Sequence, residues 1–209
     1  TNAWLDAYAA SFNAAYDGIT AEQPAAKVLV SLEHHFGAAY DGDAGADPNN
    51  ETISGETVLR GVIARAGART VRVAYHPYPP DLLSPAFGPE DWPRVTYGNL
   101  GILAQWLRRE LPANPASWEI HLTESGVNSL GPSSSPEAQA DGVCRSLRNV
   151  LGTPGVESYI YHRMVDHPVE TASGLGVGLH DTNNAAKPAW AVWALANRDD
   201  LVPPQLSCG

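Results

Sequence analysis

Short apolar runs alternate with amphipathic segments along the whole chain, and this alternation restricts the fold more than any other feature. Four runs rich in β-branched and aromatic residues are predicted to be strands: KVLVSLEHHF, TVRVAYHPYPP, WEIHLTE and VESYIYHRMVDH. Around them, apolar residues recur at three- and four-residue spacing, as on one face of a helix. Strands that alternate with helices predict an α/β fold with a parallel sheet and helices packed outside it.

Capping residues and prolines predict where the helices begin and end. An amphipathic first helix should stop before Pro24, and Ser54 should cap a helix that runs to about Ala66. Thr96 is predicted to cap the next helix, and the triplet Ser135–Glu137 to start another, with proline in the first turn. The stretch KPAWAVWALAN predicts a short last helix.

Composition excludes several classes of partner. The 209 residues suffice for one domain, and their hydrophobic content of 44% with 17% charged residues is typical of a globular protein. The net charge of −10 argues against nucleic acid and against anionic membranes as partners. No apolar run approaches the roughly 20 residues of a membrane span. A neutral small molecule or polymer is compatible with this charge.

Polar side chains follow each predicted strand. They are Glu33, His34 and His35, then His76 and Tyr78, then Glu124, then His162, Asp166 and His167. In parallel α/β folds, ligands bind at the carboxyl ends of the strands. We therefore expect these side chains to meet at one binding site.

Each of these residues also has a plain structural interpretation. Glu124 is either a solvated strand end or a catalytic carboxylate, for which Ser125-Gly126 leaves room. His76-Pro77-Tyr78 is either a rigid turn or a pair aimed into a pocket, where a tyrosine can hold a carboxylate ionised by a hydrogen bond.

The histidines and one tryptophan suggest recognition of a ligand. Glu33 with His34 or His35 favours hydrogen bonding to a sugar over a metal site, because adjacent strand residues point to opposite sides. Asp166 and His167 either join such a site or pair with each other. Trp92, in the proline-rich loop, is the best candidate for a stacking platform.

Two short features concern covalent modification and compartment. Cys144 and Cys208 are able to form a disulfide that tethers the tail, and Asn50-Glu51-Thr52 is a glycosylation triplet. The first residues contain neither an initiator Met nor a targeting segment, so we expect a mature or clipped chain that is secreted or extracytoplasmic.

Six stretches together resemble a known family: AAKVLVSLEHHF, VRVAYHPYPPDLL, VTYGNLGILAQWL, IHLTESGVNS, SYIYHRMVDHPVE and GLGVGLHDTNNAAKPAWAVWAL. In this order they resemble the second half of a clan A-type glycoside hydrolase, a (β/α)8 TIM barrel. The likeness is closer still to a bacterial domain family of unknown function with such a barrel. It implies that residues 1–209 form the half barrel with strands five to eight, with 199–209 as a tail.

The resemblance also implies roles for residues. Glu124, in LTESG, occupies the position of the nucleophile in these retaining enzymes, and His76 and Tyr78 match residues that contact the nucleophile or the sugar. Asn128, in the same matched stretch as Glu124, joins the candidate substrate-binding residues. The resemblance thus predicts a carbohydrate substrate and needs neither a cofactor nor a metal.

One element of the family pattern has no match in this chain. The acid/base glutamate should follow an asparagine at the end of the fourth strand, ahead of the first helix here. Asn50-Glu51 lies in a polar loop, and Glu33 is the only other stand-in. A half barrel also leaves two open sheet edges. We therefore expect an N-terminal half-barrel segment or a second copy as partner.

The predicted function is retaining hydrolysis of an oligo- or polysaccharide through Glu124. A non-catalytic carbohydrate-binding barrel is the first alternative. A metal-dependent hydrolase is the second, with His34 or His35, His76, His162 and His167 as ligands.

Overall fold

A computed structural model of the protein describes residues 2–40, 52–197 and 208. Asn50-Glu51 lies outside the described residues, as does the predicted tail except Cys208. The strands are β1 (Leu29–Glu33), β2 (Arg72–His76), β3 (Ile120–Leu122) and β4 (Val156–Tyr159). They form one parallel four-stranded sheet in the order β1-β2-β3-β4, which confirms the predicted α/β class.

Helices connect these strands. Their bounds are α1 (Asn2–Glu22), α2 (Gly55–Ile63), α3 (Gly101–Glu110), α4 (Pro136–Gly152), α5 (Pro168–Ala172) and α6 (Pro188–Ala194), with 3-10 turns at Pro115–Trp118 and Leu195–Asn197. Two predicted caps are confirmed: the Ser54 hydroxyl accepts from the Thr57 N–H, and the Ser135 hydroxyl from the Ala138 N–H. Such caps satisfy amide groups that have no partner inside the helix.

The predicted cap at Thr96 is wrong. The Thr96 hydroxyl donates to the Asp91 carboxylate, and the Thr96 amide donates to the Asn99 side chain. Residues 96–99 therefore close a polar turn of their own, and α3 begins only at Gly101. Asp91, the side-chain partner of Thr96, precedes it in the loop, so the helical spacing of the sequence does not indicate this contact.

Two predicted strands are shorter than expected. Trp118 does not open β3: it ends a 3-10 turn, and its indole N–H donates to the Leu111 carbonyl at 3.0 Å. β4 ends at Tyr159, although the chain still follows β3, with the His162 amide 2.9 Å from the Ser125 carbonyl. His162 is thereby placed beside the end of β3.

The core lies between the sheet and the helices that cover it. Val30, Val73, Tyr75, Ile120 and Leu122 of the strands are fully buried against apolar residues of α2, α3 and α4. Burial of this apolar surface is the main favourable term in folding. It leaves the carboxyl ends of the strands free to carry polar groups.

Two further findings concern the chain's surroundings. The predicted disulfide between Cys144, on α4, and Cys208 is present, with 5.7 Å between the two Cα atoms. None of the described helices is both long and apolar enough to cross a bilayer.

Candidate active site

Several polar side chains lie close together at the carboxyl ends of β1, β2 and β3, at one edge of the sheet. Glu33 and His76 are register partners on β1 and β2, and Thr123 and Glu124 follow directly after β3. Tyr78 reaches the same place because the chain turns at Pro77 just after β2. Parallel pairing thus gathers residues that lie far apart along the chain, as predicted for ligand sites of such sheets.

The Glu124 carboxylate is held by Tyr78. The phenol O–H of Tyr78 donates to Oε1 of Glu124 at 2.9 Å. Burial, and then the neighbouring carboxylate, raise the pKa of Tyr78, so the phenol keeps its proton and remains a donor. The hydrogen bond orients one carboxylate oxygen and leaves the other available.

Glu33, His76 and Thr123 form a second hydrogen-bonded chain. The Nδ1 of His76 lies 2.6 Å from Glu33 Oε1, and its Nε2 lies 3.1 Å from Thr123 Oγ1. Burial alone would raise the pKa of Glu33, but its contacts with His34 and His76 outweigh burial and lower that pKa to about 2. The hydrogen bond with Glu33 raises the pKa of His76 above its ordinary value.

This pKa bears on the predicted role of Glu33. A general acid must hold a proton near the working pH, and a carboxyl with a pKa of about 2 is ionised throughout the neutral range. The low pKa argues against Glu33 as the acid/base residue. Of the two histidines that lower it, His34 is adjacent in the sequence, whereas His76 lies on the next strand, where no local pattern reveals the contact.

A cleft of about 250 Å³ opens beside Glu124. Its walls combine polar with apolar side chains: Glu33, His34, Tyr78, Leu82, Glu124, His162, Glu170, Leu175 and Val177. Polar groups for orientation among apolar walls are typical of small-molecule sites. The predicted site residues Glu33, His34, Tyr78, Glu124 and His162 thus share one cleft.

His34 and His162 are placed differently within this cleft. His34 is only 5% exposed, and in the described part of the chain its Nδ1 has no hydrogen-bond partner, although Glu33 Oε2 lies 3.9 Å away. A buried polar atom without a partner is costly, which makes this nitrogen suited to a ligand hydroxyl. The Nε2 of His162 accepts from the Nε–H of Arg163 at 3.2 Å.

Six predicted site residues do not line the cleft: His35, His76, Trp92, His167, Asn128 and Asp166. His35 packs between the rings of His34 and Tyr40 and lines a neighbouring cavity of about 380 Å³. Trp92 is half exposed, with its indole against Gly37. His167 is exposed and precedes α5. His76 stands behind the cleft wall, in contact with Glu33.

Asn128 and Asp166 are occupied by the fold. The Asn128 amide group donates to the carbonyls of Leu83 and Gly174, and its oxygen accepts from two backbone amides. Asp166 pairs with Lys187 at 2.6 Å, with side-chain exposures of 3% and 8%. Both side chains thus have structural partners within the fold, and their predicted role in substrate binding stays a prediction.

Sequence reasoning missed four residues that line the cleft. Leu82 follows the prolines after β2, and Glu170, Leu175 and Val177 come from α5 and the loop after it. Leu82, Leu175 and Val177 lie in loops, and Glu170 lies on the short helix α5, so no strand or helix period indicates them. Their proximity along the chain to Tyr78, in the case of Leu82, and to Asp166, in the case of the other three, was the only signal.

The pairing of Glu33 with His76 predicts a window of pH dependence. Glu33 contributes to the free energy of unfolding at pH values above its ordinary pKa of 4.5, and this contribution is lost as the pH falls toward its folded pKa of about 2. The contribution of His76 is complete below its ordinary 6.5 and is lost as pH rises through its raised folded pKa. The pair should therefore stabilise the fold most between these ordinary values.

The measurement is urea unfolding of the wild type and Glu33→Gln from pH 2 to pH 9. We expect the free energies of unfolding of the two proteins to differ by at most about 1 kcal/mol, because the Glu33 side chain is 59% exposed. A difference that stays flat across this pH range would contradict the pairing.

Comparison with known proteins gives a family and a set of structural relatives. The family of unknown function DUF5722 matches residues 1–201. No curated protein sequence matches the chain. The chain resembles a β-galactosidase from the haloarchaeon Halorubrum lacusprofundi with a TM-score of 0.51 and 14% identity, over 91% of this chain and 25% of that one.

Other similar structures are glycoside hydrolases as well. They include a GH128 endo-β-1,3-glucanase from Amycolatopsis mediterranei (TM-score 0.44, 21% identity, 77% of this chain and 56% of that one). They also include a GH2 β-galacturonidase from Eisenbergiella tayi (TM-score 0.44, 15% identity, 68% of this chain and 29% of that one). The chain spans between 25% and 56% of the length of these three structures. At such identities, the likeness to the β-galactosidase describes the fold alone.

Proposed function

The chain belongs to DUF5722, a family of unknown function, and we propose that it is a glycoside hydrolase with Glu124 as the nucleophile. The observation that carries this proposal is the hydrogen bond of 2.9 Å between Tyr78 and Glu124 in a cleft at the strand ends. An oriented carboxylate beside a cleft that can receive a sugar is what covalent attack on an anomeric carbon needs.

The reaction would retain the configuration of the sugar. The Glu124 carboxylate forms an ester bond to the anomeric carbon while the glycosidic C–O bond breaks and a second carboxyl protonates the leaving oxygen. Water then attacks the same carbon, gives its proton to that second carboxylate and releases Glu124. Retaining enzymes place the two carboxyl groups about 5–5.5 Å apart.

The second carboxyl group is expected from outside the described residues. Glu33 is ionised at neutral pH, and Glu170 is engaged by Arg163 at 3.3 Å. We therefore propose that a further β/α segment, from the same polypeptide or a partner chain, supplies the acid/base group and closes a (β/α)8 barrel. Asn50-Glu51 lies outside the described residues and stays an untested alternative source.

The edges of the sheet support this completion. Among the described residues, β1 pairs only with β2 and β4 only with β3, so each of these two strands has one unpaired edge. Proteins usually cover or pair such edges, because they expose backbone donors and acceptors. A groove of about 440 Å³ follows the free edge of β1 and is walled by Trp4 and Tyr8 of α1. A homogeneous, folded monomer of 22.2 kDa that turns over glycosides would contradict this part of the proposal.

Covalent trapping tests the proposed reaction directly. A 2-deoxy-2-fluoro glycoside with a good leaving group should glycosylate the enzyme, with loss of that leaving group, faster than water releases the sugar, so that intact mass rises by one fluorosugar residue. Peptide mapping should then place the sugar on the peptide that contains Glu124. A sugar carried on another carboxylate, or product NMR that shows inverted configuration at first formation, would contradict the assignment.

A carbohydrate-binding protein without turnover is the second candidate. It is favoured by the hydrogen bond of 2.6 Å between His76 and Glu33, which lowers the pKa of Glu33 and makes that carboxyl unsuited to act as the general acid. Sugar binding without hydrolysis, in a sample that contains the complete barrel, would select it over the hydrolase. For the metal-dependent alternative, residues 2–40, 52–197 and 208 offer no group of three or more side chains arranged to hold a metal ion.

We also propose that the protein works outside the cytoplasm. The disulfide between Cys144 and Cys208 supports this, because such bonds persist in oxidising compartments. Fractionation of the producing cells would test it, and recovery of the protein in the cytosol with both thiols free would contradict it.

A further inference from the structure

The cleft beside Glu124 is strongly acidic. Three of the side chains that line it are carboxylic acids, namely Glu33, Glu124 and Glu170, and among the described residues that line it there is no lysine or arginine. The net charge of −10 adds to this negative potential. A ligand that enters the cleft therefore approaches carboxylates without a free cation to receive an anionic group.

The nearest cations are already engaged. The guanidinium of Arg163 contacts Glu170 at 3.3 Å and donates to His162 at 3.2 Å. Lys187 is buried in its pair with Asp166. Recognition of a carboxylate ligand ordinarily uses an arginine or lysine free of other charged partners, whereas Arg163 is paired with Glu170 and Lys187 with Asp166.

Two imidazoles at or beside the cleft are engaged as well. The Nε2 of His162 is occupied by the hydrogen bond from the Nε–H of Arg163 at 3.2 Å. The Nδ1 of His76 lies 2.6 Å from the Glu33 carboxylate. Neither of these two rings is therefore placed to receive an anionic group of a ligand.

Glu170 is the carboxylate of this set that neither the proposed chemistry nor the Glu33–His76 pair uses. Its side chain is about one third exposed and projects from α5 into the cleft wall. Its backbone carbonyl accepts hydrogen bonds from the amides of Ser173 and Leu175, which fixes the residue in its loop. A fixed carboxylate accepts hydrogen bonds from sugar hydroxyls and repels a sugar carboxylate.

We propose that the sugar unit bound beside Glu124 is uncharged, that uronic acids are excluded, and that Glu170 sets this specificity. The inference rests on the proposed function only in taking the cleft as a sugar site. It names a substrate class, neutral glycans, and a specificity residue.

The test compares sugars that differ only at C6. Aryl glucosides and galactosides, in both anomeric forms, are matched with the corresponding glucuronides and galacturonides on the complete protein. Turnover is measured with the wild type, and binding of the free sugars by NMR titration of Glu124→Gln. We expect the neutral member of a pair to be preferred by about 100-fold or more, since juxtaposed like charges are strongly unfavourable in a partly desolvated site.

Two variants assign the effect to Glu170. Glu170→Gln removes one negative charge and releases Arg163, so the preference for the neutral sugar should fall by about 10-fold or more. The same preference in the wild type should weaken as salt is added, because salt screens the repulsion. Glu157→Gln, an exposed carboxylate on β4, is the matched control and should leave the preference unchanged.

The outcomes separate this inference from the proposed function. Binding of neutral sugars without binding of uronates supports the inference even where no glycoside is cleaved, a result that would count against hydrolysis alone. Equal or better handling of uronates overturns the inference and leaves the hydrolase standing. No binding and no turnover of any sugar overturns both, and an unchanged preference in Glu170→Gln removes that residue from the proposal.

Discussion

Glu124→Gln should abolish the hydrolysis of any glycoside that the protein turns over, with a loss in kcat on the order of 10⁴-fold or more. The amide oxygen of glutamine is a far weaker nucleophile than a carboxylate and forms no stable ester with the anomeric carbon. The replacement keeps the size of the side chain and an oxygen that can accept from the Tyr78 hydroxyl, now 2.9 Å away. The fold should therefore be retained.

Initial rates with aryl glycosides measure the effect, and circular dichroism checks the fold. The matched control is Glu119→Gln, because Glu119 precedes the opposite, amino end of the same strand and pairs there with Lys27 and Arg72. That control should keep wild-type kcat. Undiminished turnover in Glu124→Gln would remove Glu124 from the chemistry.

Lys187→Met should destabilise the protein by about 3–5 kcal/mol, the usual cost of leaving one partner of a buried ion pair uncompensated. The ammonium of Lys187 lies 2.6 Å from Asp166 and also donates to Ser129 and the Gly176 carbonyl. Methionine fills similar volume, so the loss should come from the stranded carboxylate and not from a cavity.

Urea unfolding gives the measurement, with a lower midpoint at unchanged slope. Lys27→Met is the control, since Lys27 is 43% exposed in its pair with Glu119 and should cost less than about 1 kcal/mol. Removing both charges in Asp166→Leu/Lys187→Met should recover part of the stability. Equal effects of the two lysine substitutions would show that burial of the pair contributes nothing.

The parts of the fold that depend on local chemistry were predictable. Ser54 and Ser135 cap their helices because the cap and its target amide lie three residues apart, within reach of pattern reasoning. Glu33, His76 and Glu124 were expected at the strand ends because parallel strands present their ends at one edge. Tyr78 was expected to hydrogen-bond a carboxylate, and the structure places it on Glu124.

The parts that depend on partners distant in the sequence were not predictable. The ionisation of Glu33 follows from His76, 43 residues away, and the role of Asp166 follows from Lys187. Glu170 reaches the cleft from the five-residue helix α5, which is too short to show an apolar period in the sequence. Such contacts are decided by tertiary packing, which a single sequence does not encode as a local pattern.

The strict chain order of the sheet makes the molecule modular. Because the strands follow one another as β1-β2-β3-β4, each strand in the described part of the chain pairs only with its neighbours in sequence. The fold is then close to one-dimensional, as in repeat proteins, whose stability is roughly the sum of units and nearest-neighbour interfaces. Units could therefore be gained at either end of the sheet, in assembly or by gene duplication, without breaking a hydrogen bond already made.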